Sequence, residues 1–191
     1  MSLEPKAKIH TEITAGNMNF LDPQSLLDKL GIKEGMAVAD FGCGAGHFAI
    51  LIARKVGAQG AVYAIDIQKG PIESVRSRAK LYGLTQVQAI RGDLEREKGS
   101  TLPEKLVDIV FCTSVLFQVK DKGAIIREAK RVLKKKGKLV IIEWRAEAPW
   151  GPQTKARLSR EDFVTLAEKE GFVLEKEFAA GSHHYGLVFG I

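Results

Sequence analysis

The chain has 191 residues, 45% of them hydrophobic and 27% charged, which is ordinary for one soluble globular domain. A chain of this length buries roughly 70% of its unfolded surface, so one core suffices. No apolar run approaches the ~18 residues of a membrane span, and Cys43 and Cys112, with no C-x-x-C between them, argue against a zinc site.

Lys and Arg exceed Asp and Glu by 29 to 23, a net charge of +6 that admits an acidic partner. The excess is densest over residues 127–138, read here as the basic end of an exposed helix rather than a nucleic-acid patch, since aromatic interleaving is missing. Met1 to His10 offers no apolar stretch for a signal peptide, so the cytoplasm is the expected address. A structural disulfide is not expected there.

Short β-branched runs alternate with longer amphipathic ones. Residues 37–41 read as a first strand and 48–56 as the helix after it, followed by a second strand at 61–66. The next helix has Pro71 in its first turn and Val75, Ala79 and Tyr82 on one face. A third strand spans 87–90, and 94–106 is polar and irregular. The fourth strand covers 107–112, and the helix over 122–133 carries Ile125, Ile126, Ala129, Val132 and Leu133 as its apolar stripe.

The fifth strand, 138–144, is apolar along Leu139, Val140, Ile141 and Ile142, as a strand covered on both faces should be. Ser159 with Asp162 three places on predicts a helix start, and Gly171 its end. Two final strands, 173–178 and 184–189, are joined tightly around Gly181 and must be antiparallel. The sum is a doubly wound α/β sheet, whose ligands bind beyond the strand ends where strand order reverses.

The turn after the first strand reads Asp40, Phe41, Gly42, Cys43, Gly44, Ala45, Gly46, His47. Alternate glycines let a ligand touch the main chain where a Cβ would clash. A dinucleotide fingerprint G-x-G-x-x-G, counted from Gly42, fails at His47. A carboxylate beside such a cradle repels a diphosphate and suits a cationic ligand such as an amino-acid ammonium. Asp66 ends the second strand, where a carboxylate can accept ribose hydroxyls, with Ile67 beside it to cover a base. Asp93, before Leu94, closes the third strand and can accept from an adenine amino group. Any one of these acids alone reads as a turn cap, but three at consecutive strand ends do not.

With these residues, and with Val107-Asp108-Ile109-Val110 and the run from Val132 to Leu139, the chain resembles the class I S-adenosylmethionine-dependent methyltransferases. The likeness is to the small bacterial and archaeal branch near the ubiquinone/menaquinone-biosynthesis enzymes, and it covers residues 26–191. It implies a Rossmann-like sheet of seven strands, mostly parallel with a terminal antiparallel strand. Residues 1–35 would form an N-terminal extension and helix, with a lid or a surface-packed helix as equal readings, and 36–191 the catalytic domain.

The implied cofactor is S-adenosyl-L-methionine. Asp40, Gly42, Cys43, Gly44, Ala45 and Gly46 would hold its methionine part. Asp66 would hold the ribose, Ile67, Asp93 and Leu94 would surround the adenine, and Thr113 and Ser114 would border the methyl group. Where the family often has asparagine and then histidine, this chain has Thr113-Ser114-Val115-Leu116-Phe117-Gln118.

Methyl transfer needs positioning more than covalent help, so no catalytic residue is named. Lone histidines (His10, His47, His183, His184) read as surface or packing groups, with His183 and His184 in a hairpin distant from the switch point. Glu143 and Trp144 end the fifth strand on the ligand edge and are the first choice, with Ser114, for an acceptor pocket; Trp150 is either acceptor contact or packing.

The expected acceptor is small or lipid-like. An RNA methyltransferase is the alternative that the charge encourages, although no Asn-Pro-Pro-Tyr or Pro-Cys motif accompanies it. A nicotinamide-dependent oxidoreductase is disfavoured by His47, and a cofactor-binding regulator without catalysis fits the same residues.

Overall fold

A computed structural model describes residues 23–149, 151–153 and 157–191. The segment before Pro23, for which a lid and a surface-packed helix are equal readings, and Trp150 lie outside the described residues. The elements follow in the order α1 (Pro23–Lys29), β1 (Ala37–Phe41), α2 (His47–Val56), β2 (Ala61–Asp66), α3 (Lys69–Leu81), β3 (Val87–Arg91) and β4 (Val107–Thr113). After a 3-10 turn at Leu116–Gln118 come α4 (Lys122–Val132), β5 (Leu133–Trp144), α5 (Arg160–Lys169), β6 (Val173–Ala179) and β7 (His184–Gly190).

The seven strands form one sheet in the order β3-β2-β1-β4-β5-β7-β6. β1 to β5 pair in parallel, and β7 runs antiparallel to both β5 and β6. Strand order therefore reverses between β1 and β4, as the alternation of strands and helices required.

Both faces are covered, and period-2 alternation divides each central strand between them. From β1, Ala39 and Phe41 enter one apolar cluster with Ile125 and Ile126 of α4 and Phe163 of α5. Val38 enters the other, with Leu26 and Leu27 of α1, Ile52 of α2 and Val75 of α3. β5 divides the same way, Leu139 and Ile141 to the first cluster and Val140 and Ile142 to the second. Among the described residues no helix is long and apolar enough to cross a membrane.

Two expectations change. The basic stretch does not prolong α4: the helix stops at Val132, and Leu133 to Lys138 already belong to β5, through an irregular pairing opposite Val107–Ile109. Tertiary contacts override helical propensity here. Leu133 is buried, the Lys134 ammonium reaches the Asp108 carboxylate at 2.8 Å, and Lys138 meets Glu175 at 2.6 Å.

The second change concerns the histidine hairpin. Because β7 is antiparallel, Trp144 pairs with His184 and Glu143 with Tyr185. The turn carrying His183 thus lies at the same sheet edge as the C-terminal ends of the parallel strands, although β5 still separates it from the switch point between β1 and β4.

Residues 94–106 hold no helix or strand. They are pinned by Glu128 of α4, whose carboxylate accepts from the Ser100 amide at 3.1 Å and from its hydroxyl, and pairs with Arg131 at 2.7 Å. Burial opposes the Glu128 charge, but these bonds outweigh it and hold the carboxyl below its ordinary range.

Candidate functional site

At the switch point lies a cavity of about 800 Å³, lined from the ends of β1, β2, β3 and β4 and the turns after them. That size suits a small organic ligand. Its floor is the glycine turn. Gly42 and Cys43 donate their amides to the Ile65 carbonyl at 2.8 and 3.0 Å, which bends the chain away from β1. Gly42, Gly44 and Gly46 all have positive φ.

Their roles differ. A Cβ on Gly42 would stand 2.3 Å from the Val115 side chain, and one on Gly46 2.8 Å from Val75 of α3. At Gly44 a Cβ would meet nothing within 4 Å, so this glycine alone of the three faces open space. Gly46 caps α2 and packs it on α3, and it does not line the cavity. Expected as a ligand contact, it acts instead as the close-packing glycine, one position earlier than in a dinucleotide fingerprint.

Asp40, Gly42, Cys43, Gly44 and Ala45 all line the cavity, as do Asp66, Ile67, Asp93, Leu94, Thr113 and Ser114. Asp40 is 2% exposed, and its Oδ2 is buried with no hydrogen-bond partner. Burial pushes its pKa up to about 7; the Ala49 amide pulls it back in part, and the Asp66 charge adds to the rise. Thr113 Oγ1 is likewise buried and unpartnered. Unsatisfied buried polar atoms of this kind are uncommon in folded proteins.

Asp66 is better served. Its Oδ2 accepts from the Gly44 amide at 3.1 Å and its Oδ1 from the Gln68 amide at 2.9 Å, and each oxygen keeps a further lone pair. Asp93 pairs with Arg96 at 3.0 Å and caps the Glu95 amide, so its carboxylate is already engaged. Ile67 is 53% exposed at the rim, whereas Leu94 is buried.

The two strand-end residues favoured for an acceptor pocket are not there. Glu143 and Trp144 do not line the cavity. Glu143 is 2% exposed, and its Oε1 accepts from the Leu116 amide at 2.8 Å. The Trp144 ring packs on His184 at 4.1 Å between centroids. Alternation along β5 turns alternate side chains to opposite faces, so an end position on the ligand edge does not make a side chain face the ligand. Burial holds His184 down to about 4, neutral at physiological pH.

Sequence reasoning had set His47 aside and missed Phe48, Gln68, Glu95, Val115 and Gln118 among the lining residues. His47 opens α2 directly behind the glycine turn, a signal that was legible. Glu95 carried none: its Oε1 reaches from the turn after β3 to the Lys120 and Asp121 amides, at 3.0 and 2.7 Å. Among the described residues, no three His, Cys, Asp or Glu side chains gather as a metal site.

The reversal of strand order, the glycine turn and the acid-ended strands define a class I S-adenosylmethionine-dependent methyltransferase fold. The chain belongs to the family described as methyltransferase domain, whose profile matches residues 32–178.

Among curated relatives it is 27% identical to the ubiquinone/menaquinone biosynthesis C-methyltransferase UbiE of Vibrio campbellii, over 75% of this chain and 54% of that protein. It is 34% identical to the probable cobalt-precorrin-6B C(15)-methyltransferase (decarboxylating) of Methanosarcina mazei, over 63% of this chain and 62% of that one. The chain spans about half the length of the UbiE proteins it matches. Among solved structures, a SAM dependent methyltransferase from Aquifex aeolicus superposes with a TM-score of 0.83 at 28% identity, over 90% of both chains.

Proposed function

We propose that this protein binds S-adenosyl-L-methionine in the switch-point cavity and transfers its methyl group to a small or lipid-like acceptor. The observation that carries the reading is the unpartnered, buried Asp40 carboxylate oxygen beside an open glycine. A cation satisfies that oxygen and a diphosphate does not. S-adenosylmethionine has an ammonium for that end, ribose hydroxyls for the spare lone pairs of Asp66, and an adenine to lie between Ile67 and Leu94.

When bound, the cofactor supplies a methyl group on a sulfonium, which leaves as a neutral thioether. The chain's part is to hold and orient. Asp40 and the Gly42 to Ala45 backbone fix one end, Asp66 the middle, and Thr113 and Ser114 border the space where an acceptor enters. Holding two reactants in line supplies roughly 7–11 kcal/mol of the barrier. The glycine turn and the apolar Phe48, Leu94 and Val115 line the cavity and would limit the water that reaches the reacting end.

An apolar acceptor is supported by Val115, Val119 and Ile125 in the cavity wall, and by the small-molecule C-methylations for which the two curated relatives are named. An RNA acceptor is disfavoured because much of the densest basic stretch is spent on local partners: Arg127 on Glu170, Arg131 on Glu128, Lys134 on Asp108 and Lys138 on Glu175. Two buried free thiols, Cys43 and Cys112, support a reducing cytoplasmic address.

Titration calorimetry with S-adenosylhomocysteine and with NAD tests the cofactor. Heat with the first alone supports the reading, and heat with NAD alone overturns it. Labelled-methyl transfer into fractionated cell extract then separates the acceptors: label in the small-molecule or lipid pool is expected, and label confined to RNA removes the small-acceptor proposal.

A further inference from the structure

The turn between β4 and α4 forms one wall of the cavity through Thr113, Ser114, Val115 and Gln118. It is not a relaxed turn. Ser114 has φ +52°, which side-chain-bearing residues rarely adopt. The Val115 side chain lies so close to Gly42 that no Cβ fits between them. Something must hold this turn down on the glycine floor.

Within the turn the Gln118 amide donates to the Val115 carbonyl at 3.1 Å and the Gln118 side chain to the Ser114 carbonyl at 3.0 Å, while Glu95 holds its far end at the Lys120 and Asp121 amides. The near end is anchored on β5, first by the Ser114 amide donating to the Ile142 carbonyl at 2.8 Å. The second β5 anchor is a side chain. Glu143 is buried behind the turn, with its Oε1 2.8 Å from the Leu116 amide, and the amides of Trp144, Phe117 and Val115 also bear on its carboxyl. A buried carboxyl is costly unless something needs it. This one is outside the cavity and among the described residues has no ion-pair partner.

We propose that Glu143 is a positioning residue: its carboxyl gathers the amides of the turn after β4 and thereby seats Val115 on Gly42 and Ser114 at the cavity wall. The proposal rests on reading that cavity as the cofactor site. Glu143 touches no ligand in it and acts only through the turn. The titratable groups that face it, Tyr185 across the β5–β7 pairing and Cys112 on β4, are both pushed up by burial and stay neutral at physiological pH.

The test compares the full-length wild type with Glu143→Gln and Glu143→Leu. Amide hydrogen exchange over residues 115–117 is read without ligand, and S-adenosylhomocysteine affinity is read by calorimetry. Glutamine keeps an acceptor oxygen, and leucine keeps only the volume. Protection and affinity should both fall in the order wild type, glutamine, leucine, with about tenfold losses for leucine, the equivalent of one net hydrogen bond. Exchange in the sheet should stay unchanged.

Should leucine prevent folding, the glutamine variant still decides the matter, with a smaller loss in both readouts. A variant that melts lower but keeps wild-type protection at 115–117 and wild-type affinity makes Glu143 a packing residue and overturns the proposal. Failure of the wild type to bind S-adenosylhomocysteine removes the cofactor reading instead, and the exchange data still judge the turn.

Discussion

Asp40, next to last in β1, has one carboxylate oxygen with no hydrogen-bond partner, and burial raises its pKa to about 7. An unfolded aspartate titrates near 4, so between about pH 4 and pH 7 the folded protein holds the extra proton. The stabilisation from this group is present below that window and is lost as pH rises through about 7. Glu143, also raised to about 7 by burial, contributes with the same sign.

A cationic ligand reverses the demand, because it needs the carboxylate. Affinity for S-adenosylhomocysteine should therefore rise about tenfold from pH 6 to pH 8 in calorimetry. Asp40→Asn should flatten that profile and weaken binding at pH 8 by about 1.5–3 kcal/mol, on the order of ten- to a hundredfold. A steep profile retained in the variant would mean that another group titrates.

The glycines give a second contrast at this scale. Gly44→Ala meets open space and costs only the left-handed conformation, about 1–2 kcal/mol, so the protein should stay folded while ligand affinity collapses. Gly42→Ala drives a methyl into Val115 and should lower the melting temperature markedly further. Thermal melts beside calorimetry separate the two effects.

Among the elements, α5 shows how local chemistry can act without touching function. Ser159 accepts from the Asp162 amide, and the Asp162 carboxylate answers the Ser159 amide at 3.1 Å, a complete capping box. Ser159→Ala should cost about 1 kcal/mol, seen as a melting temperature lower by roughly 2–4 °C. Ligand affinity should not change, since α5 contributes nothing to the cavity.

This helix was legible because its signal is local: a serine, an acid three residues on, and a closing glycine. The end of α4 was not. Lys134, Lys135 and Lys136 look like one more helical turn, and only the Asp108 carboxylate on β4 and the burial of Leu133 draw the chain into the sheet. Residues 26 to 28 positions away in sequence leave no periodicity to read.

For the whole molecule, ligand binding is linked to stability, because only the folded sheet has a switch point. At a hundredfold excess over Kd, S-adenosylhomocysteine should add about 2.7 kcal/mol. For a domain of this size that is roughly 5–10 °C in the melting temperature, and NAD should leave it unchanged. A shift with NAD and none with S-adenosylhomocysteine would contradict the cofactor reading.

The sequence by itself determined the sheet, its reversal of order and the acids at three strand ends, because hydrophobic period, glycine spacing and strand termini are written along the chain. Of the eleven positions from Asp40 to Thr113 that it marked for the cofactor, ten line the cavity, all but Gly46. What only the tertiary structure decided was which way side chains point at those ends: Glu143 inward to the β4 turn, Trp144 onto His184, Gly46 onto α3. Direction depends on strand register and on neighbours brought together from remote parts of the chain, and no local pattern encodes that.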